Sequence, residues 1–183
     1  MKIGILPVGQ VSIDTLAALG QGLVKIFPDS VFFVINKPLP VPEQAYDKKR
    51  FQHNSSLILK VLRTYAVNNM IYHRILGVID TDIFASGLNY VFGEAYVSGN
   101  AALISLRRLK PQFFGEKPDD NLLVVRALKE AVHELGHTLG LNHCLKRQCV
   151  MHFSNSIFDT DRKQSFFCGQ CYLQAALAIA KLG

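Results

Sequence analysis

The sequence predicts an α/β fold with a mixed, twisted sheet, and three observations support this prediction. Short apolar runs alternate with segments of helical periodicity along the first part of the chain, which is the order of elements in α/β domains. A Ser-Gly-Asn turn at 98–100 separates two further apolar stretches and indicates an antiparallel hairpin. The chain has 183 residues, of which 49% are hydrophobic and 19% charged. It is therefore long enough to bury the core of one domain, and its composition excludes intrinsic disorder.

Five strands are predicted from apolar or alternating runs that turn-forming residues interrupt. They cover residues 2–6, 31–35, 74–79, 90–97 and 101–106. The second run contains five consecutive apolar residues, three of them β-branched, so we expect it in the centre of the sheet. Asp80 and Asp82 follow the third run, where carboxylates commonly complete a turn.

Four helices are predicted from apolar side chains that recur at helical spacing. They cover residues 12–27, 54–69, 119–139 and 171–182. Ser12 and Asn54 stand where a side-chain oxygen can cap the first turn of a helix. The segments 36–52 and 110–120 contain several prolines and are expected to be loops. Residues 144–171 carry all four cysteines and show little periodicity, so an irregular segment is expected there.

The most informative segment reads HELGHTLGLNH and has the spacing of a metal site. On a helix, His133 and His137 lie one turn apart on the same face, so their imidazoles can bind one ion. Gly140 can adopt the left-handed conformation that ends a helix, which lets the chain return and present His143. Three neutral nitrogens leave one position of a tetrahedral Zn²⁺ open, as in catalytic zinc sites. Glu134 stands beside the first ligand, close enough to reach a metal-bound water.

The four cysteines indicate a second, structural zinc site. Cys144, Cys149, Cys168 and Cys171 have the spacing of a tetrathiolate, with a Cys-x2-Cys pair at one end. Two disulfides are the alternative, but they require an oxidising compartment. A third possibility is that Cys144 binds the histidine ion, although adjacent residues seldom aim at one metal. We therefore expect two zinc ions per chain, one catalytic and one structural.

The charge pattern argues against nucleic acid as the main partner. The formal net charge is +6, but the basic residues form only two short runs, at 48–50 and 107–108. Dedicated nucleic-acid binders cluster such residues with aromatic side chains between them. No apolar run reaches the ~18 residues of a membrane-spanning helix, and the N-terminus has no secretory signal. We therefore expect a cytoplasmic protein without membrane contact. The sequence does not fix the oligomeric state, and a monomer is favoured.

The motif HExxHxxGxxH followed by a methionine is the metzincin signature. With the four cysteines added, residues 130–171 closely resemble the archaemetzincin family, which joins a three-histidine zinc motif to four cysteines at these spacings. The resemblance implies a metzincin-like fold and a zinc metallopeptidase activity. It also implies that Met151, two residues after Cys149, is the Met-turn methionine beneath the zinc-binding imidazoles.

Upstream, residues 89–95 and 106–109 look like the edge-strand hairpin of the family. The resemblance implies that an extended peptide or protein substrate pairs with this edge. Its expected contacts are Tyr90, Phe92, Gly93 and Glu94.

One metzincin-like catalytic domain is expected over residues 1–183. Its N-terminal subdomain, 1–140, ends with the active-site helix, and its C-terminal subdomain, 141–183, is held by the cysteine zinc. The expected reaction is peptide hydrolysis by a zinc-bound water with Glu134 as general base. The alternatives are a non-proteolytic, zinc-stabilised binding protein and an aminopeptidase or amidase of narrow scope.

Overall fold

The computed structural model describes residues 1–182 and confirms the predicted α/β fold with a mixed sheet. The strands are β1 (Lys2–Val8), β2 (Val31–Val34), β3 (Tyr46–Asp47), β4 (Gln52–Asn54), β5 (Arg74–Ile79), β6 (Ile83–Phe84), β7 (Gly93–Ala95) and β8 (Ala101–Ser105). The α-helices are α1 (Ile13–Ile26), α2 (Ser55–Asn68), α3 (Asp120–Thr138), α4 (Ile157–Arg162) and α5 (Gly169–Ala180).

The main sheet has the order β2-β1-β5-β8-β7. Its first four strands are parallel, and β7 pairs antiparallel with β8 at the edge. Helices α1 and α3 cover one face and α2 covers the other, so a buried apolar layer lies on each side of the sheet. Strands β3, β4 and β6 form a small second sheet within and after the predicted 36–52 loop. The predicted hairpin is confirmed, with strands shorter than expected.

The prediction that residues 31–35 form a central strand was wrong, because β2 lies at the edge of the sheet opposite β7. Its apolar run has another cause. The ring of Phe32 packs so closely on α1 that a Cβ on Gly20 would come within 2.2 Å of it. On the other face, the ring of Phe33 packs against Tyr72 at 5.8 Å between centroids. Large apolar side chains therefore close the end of the sheet here, whereas β1 and β5 form its centre.

Helix capping follows the predictions in part. The side chain of Asn54 accepts the backbone N–H of Leu57 and caps α2, an interaction that contributes on the order of 1 kcal/mol. Ser12 does precede α1, but its side chain makes no capping hydrogen bond. Asp119 caps α3 by accepting the N–H of Leu122 at 2.9 Å. Helix α3 is thus fixed at its first turn, and its last turns carry the histidine motif.

Residues 139–168 are largely irregular, with α4 as one short helix inside them. The irregular segment was predicted over residues 144–171, and the structure differs at its end because α5 already begins at Gly169. This segment packs on α3, and α5 returns to the main core through Cys171, Ala175 and Ile179. Within residues 1–182, no helix combines the length and apolar composition needed to cross a membrane.

Candidate active site

Helix α3 brings the three histidines of the motif together. The Nε2 atoms of His133 and His137 lie 3.1 Å apart on one face of the helix. Gly140 has φ of +88°, a left-handed conformation that ends the helical path and turns the chain back. His143 then lies in contact with the other two rings, and the ligand atoms of all three lie within 4.8 Å of one another.

Backbone carbonyls set the orientation of two of these rings. The Nδ1 of His133 lies 2.8 Å from the carbonyl oxygen of Val150, and the Nδ1 of His137 lies 2.7 Å from that of Leu141. A carbonyl only accepts, so each Nδ1 carries the proton and each Nε2 presents a lone pair. Burial lowers the pKa of His133 well below its usual value and lowers the pKa of His137 as well. Both imidazoles are therefore neutral, which is the form that binds a metal.

The geometry of these donors fits zinc. Zn–N bonds of 2.0–2.1 Å at tetrahedral angles place two nitrogens about 3.3 Å apart. The observed separation of 3.1 Å between Nε2 of His133 and Nε2 of His137 is close to that value. His143 is exposed, so the site opens toward solvent on one side.

The four cysteine sulfurs form the second cluster, and they also lie within 4.8 Å of one another. Cys144 Sγ and Cys168 Sγ are 3.9 Å apart, against about 3.8 Å for two thiolates on a tetrahedral zinc with Zn–S of 2.3 Å. None of the four cysteines forms a disulfide, so the alternative of two disulfides is not what the structure has. The backbone N–H of Cys171 lies toward the Cys168 sulfur and lowers the pKa of that thiol to about 7, which favours the thiolate.

Met151 lies directly beneath the histidine cluster and is fully buried. A Cβ on Gly136 would come within 2.5 Å of its Sδ, so the absence of a side chain at 136 lets the sulfur approach α3 between the two helical histidines. The carbonyl of Met151 accepts the N–H of Cys144 at 2.9 Å. One short turn therefore connects the cysteine cluster with the floor of the histidine site.

A cavity of about 710 Å³ opens beside the histidines. The four residues predicted to contact substrate all line it, and they are Tyr90, Phe92, Gly93 and Glu94. Tyr90 also donates its hydroxyl to the carbonyl of Asn155 at 2.9 Å, which links the edge-strand wall to the wall formed by the C-terminal segment. Phe153, 48% exposed, packs its ring edge-on to His143 at this second wall.

Strand β7 lies directly against the glutamate of the motif. A Cβ on Gly93 would be 2.6 Å from Cγ of Glu134 and 2.7 Å from the carbonyl oxygen of Leu103. Only glycine leaves room for the strand, the glutamate and the neighbouring strand at this point.

Replacing Gly93 with Ala is therefore expected to reduce kcat/KM by roughly 10²-fold, because the strand and Glu134 must move apart and misplacement by about 1 Å has that effect. The rate of peptide cleavage measures the loss of kcat/KM, and zinc content and a thermal melt measure whether the metal and the fold are kept. Gly115→Ala is the matched control. It adds a Cβ in open space at φ of +78°, so it should cost some stability without changing activity. Equal activity of Gly93→Ala and wild type would contradict the expected crowding.

Three carboxylates line the cavity, and two of them are already engaged. Glu94 accepts hydrogen bonds from the hydroxyls of Ser55 and Ser56 at the start of α2. Glu134, by contrast, accepts no hydrogen bond from any of the residues 1–182. Burial raises the pKa of Glu134 well above its usual value, and repulsion from Glu130 raises it further.

Glu130, the third carboxylate, was not predicted as part of the site. It accepts the hydroxyl of Thr160 at 3.0 Å and pairs with the ammonium of Lys163, also at 3.0 Å. Its place one turn before Glu134 on the same helix was a signal that the sequence did offer. Nothing in the sequence indicated Lys163, because its approach depends on how the C-terminal segment packs on α3.

Comparison with known proteins agrees with this architecture. The family model described as peptidase family M54 matches residues 25–176. The archaemetzincin of Methanocaldococcus jannaschii is 46% identical over 93% of this chain and 90% of its own length.

Solved structures agree as well. The crystal structure of archaemetzincin from Archaeoglobus fulgidus complexed with malonate superposes with a TM-score of 0.81 at 41% identity, covering 95% of this chain and 99% of that one. The zinc-dependent peptidase from Methanocorpusculum labreanum gives 0.86 at 27% identity, covering 94% and 99%. The chain thus belongs to peptidase family M54, the archaemetzincins, and is a zinc metallopeptidase.

Proposed function

We propose that this peptidase cleaves peptide bonds in the cavity beside the three histidines, with Glu134 as general base. His133, His137 and His143 would hold the catalytic zinc. When bound there, zinc supplies a Lewis acid that polarises the scissile carbonyl and lowers the pKa of water. The observation that carries the proposal is that Glu134 is the one cavity carboxylate without a hydrogen-bond partner among residues 1–182, and that it lines the same cavity as the three histidines.

Glu134 would accept the proton of the attacking water and then deliver it to the leaving amine. Its buried position next to Gly93 keeps bulk water and other donors away from the carboxylate. An unpartnered carboxylate exchanges protons with substrate and water rather than with a fixed neighbour. Glu94, held by two serines, is suited to positioning the strand instead.

The substrate would lie along β7 as an additional strand. β7 has β8 on one side, and its residues line the cavity on the other. Main-chain hydrogen bonds to such an edge bind an extended peptide with little dependence on its side chains. Tyr90 and Phe92 flank this edge, with ring centroids 5.5 Å apart, and would contact the side chains of the substrate.

A second zinc, bound by the four cysteines, would be structural, giving two ions per chain. Four thiolates complete a tetrahedral shell and leave no position for substrate. Cys149 and Cys171 are buried, whereas the histidine site is open through His143. The two ions should therefore differ in how readily they leave.

Mild chelation is expected to remove the histidine zinc first. Cleavage of a peptide library should be lost while the thermal melt changes little, and added zinc should restore activity. A peptide hydroxamate, whose two oxygens chelate an open zinc, should compete with substrate. Metal analysis at each step measures the order of loss.

Binding of RNA or DNA to the same protein tests the alternative function, that of a nucleic-acid-binding protein. Any RNA or DNA binding should be weak and should fall steeply with salt, because it would depend on phosphate contacts alone. The proposed function would be contradicted if the zinc-loaded chain bound nucleic acid tightly at high salt and did not bind hydroxamates.

A further inference from the structure

The ring of Tyr90 is in contact with a guanidinium that lies outside the active-site cavity. The Cζ atom of Arg108 is 4.1 Å from the centroid of this ring, a distance at which a cation is attracted to the π face. Tyr90 lines the cavity, whereas Arg108 stands outside its lining. The arginine therefore contacts the cavity wall on the side that faces away from the substrate.

The guanidinium of Arg108 is held in one orientation by other residues. Two of its nitrogens donate to the two carboxylate oxygens of Asp82 at 2.6 and 2.7 Å, and such a two-pronged pair fixes the plane of the group. The side chains of Arg108 and Asp82 are 23% and 17% exposed, so water screens the pair only in part. The ring of Phe113 contacts the same guanidinium at 4.7 Å. The orientation of Arg108 is thus set independently of Tyr90.

The backbone next to Tyr90 is anchored by the same group of contacts. Gln52 donates its side-chain amide to Oδ2 of Asp82 and to the carbonyl of Asn89, both at 3.0 Å. Arg50 donates to that carbonyl as well, at 2.8 Å. Because the preceding peptide unit is fixed in this way, the part of Tyr90 that still needs orientation is its ring.

The orientation of this ring determines the shape of the cavity. The hydroxyl of Tyr90 donates to the carbonyl of Asn155 on the opposite wall, and the ring packs edge-on to Phe92. A ring that turned away would break the connection between the two walls and withdraw an aromatic surface from the cavity. An aromatic group that is already held in place binds a ligand with a smaller loss of conformational entropy.

We infer that Arg108 is a positioning residue for substrate binding, which holds the ring of Tyr90 in the cavity wall. Its polar and aromatic contacts are with Asp82, Tyr90 and Phe113, and the histidines lie on the cavity side of Tyr90. Arg108 should therefore change the affinity for the peptide and leave the chemical step unchanged. This inference rests on the proposed function, in which Tyr90 contacts the substrate.

A double-mutant cycle on the full-length, zinc-loaded protein tests this role. Arg108→Ala and Tyr90→Ala should each raise KM for a cleaved peptide on the order of tenfold, with little change in kcat. The double variant should have the KM of Tyr90→Ala alone, because Arg108 acts through the ring. A wild-type KM in either single variant, or effects that add in full, would overturn the inference.

Two further variants make the cycle specific. Arg107→Ala is the matched control, because Arg107 is exposed and lies over Phe113 instead of Tyr90, so its KM should equal that of wild type. Arg108→Lys keeps the charge and replaces Arg108→Ala in the cycle if that variant does not fold. A lysine cannot donate to both oxygens of Asp82 and also lie flat on a ring, so KM should stay above the wild-type value. Complete rescue by lysine would mean that charge alone suffices, which contradicts positioning.

Binding of hydroxamates separates the inference from the function on which it rests. Acetohydroxamate chelates zinc without a peptide and should bind wild type and Arg108→Ala equally in calorimetry. Of two hydroxamates that carry a peptide on opposite sides of the chelating group, at least one should bind Arg108→Ala on the order of tenfold more weakly. If acetohydroxamate does not bind zinc-loaded wild type, the proposed zinc site is wrong. If all three compounds bind both proteins equally, the zinc site stands and only the role of Arg108 fails.

Discussion

Replacement of Glu134 with Gln should abolish peptide hydrolysis while zinc content and fold stay intact. Loss of a general base typically lowers a rate by roughly 10²–10⁴-fold. Gln has the same shape as Glu and fits beside Gly93, but its amide cannot accept and return a proton. The Tm should not fall, because Glu134 forms no hydrogen bond with residues 1–182 that the change could remove. Single-turnover cleavage, metal analysis and a thermal melt would measure the three quantities.

Two comparisons make this experiment specific to the mechanism. Glu116→Gln changes an exposed glutamate on the loop before α3 and should behave as wild type in all three measurements. Glu134→Asp keeps the carboxylate but withdraws it from the reacting atoms, so partial activity is expected. Full activity of a zinc-loaded Glu134→Gln protein would falsify the assignment of Glu134 as general base.

Replacement of Cys168 with Ser should destabilise the C-terminal third of the chain much more than any change to the histidines. Residues 139–168 have little regular structure, so their order depends on the cysteine cluster and on contacts with α3. Structural zinc in small modules contributes ~10–16 kcal/mol of apparent binding free energy. Removing one thiolate should therefore lose a large part of this binding free energy and lower the Tm strongly. The affinity of the histidine site for zinc should fall too, because Cys144 adjoins His143.

His143→Ala is the matched comparison for this second prediction. It removes one proposed ligand of the open site and leaves the cysteine cluster intact, so the zinc content should fall by one ion with little change in Tm. Zinc analysis combined with thermal melts of both variants distinguishes the two sites. If both variants lowered the Tm equally, the division into a structural and a catalytic site would be wrong.

The convergence of the histidine side chains could be predicted because these residues are close together in the sequence. His133 and His137 share a helix face, and Gly140 turns the chain so that His143 joins them, so geometry follows from spacing alone. The cysteines also converge as their spacing indicated. The edge position of β2 was missed because strand order depends on which neighbours pair, and an apolar run looks the same in the centre as at a well-packed edge.

The charged contacts under the site could not be predicted for a different reason. Helix spacing favours a pair between Arg126 and Glu130, four residues apart on α3. In the structure Arg126 pairs with Asp161 instead, and Glu130 pairs with Lys163. Both partners lie in or directly after α4, so these pairs depend on how that later segment packs on α3. The engagement of Glu94 by two serines of α2 has the same origin, since the contact joins an edge strand to a helix on the opposite face of the sheet from α3.

The carbonyl of Val150, which orients His133, has a consequence for how the enzyme matures. Val150 stands between Cys149, a proposed ligand of the structural zinc, and the buried Met151. Its N–H donates to the carbonyl of Phe166 at 3.0 Å, two residues before Cys168, so both of its backbone contacts lie next to the cysteine cluster. If the four cysteines bind zinc, as proposed, we expect that ion to fix the carbonyl of Val150 and thereby to orient His133. Metal loading should then be sequential, with the cysteine ion first and the histidine ion second. Peptidase activity should appear only at the second step.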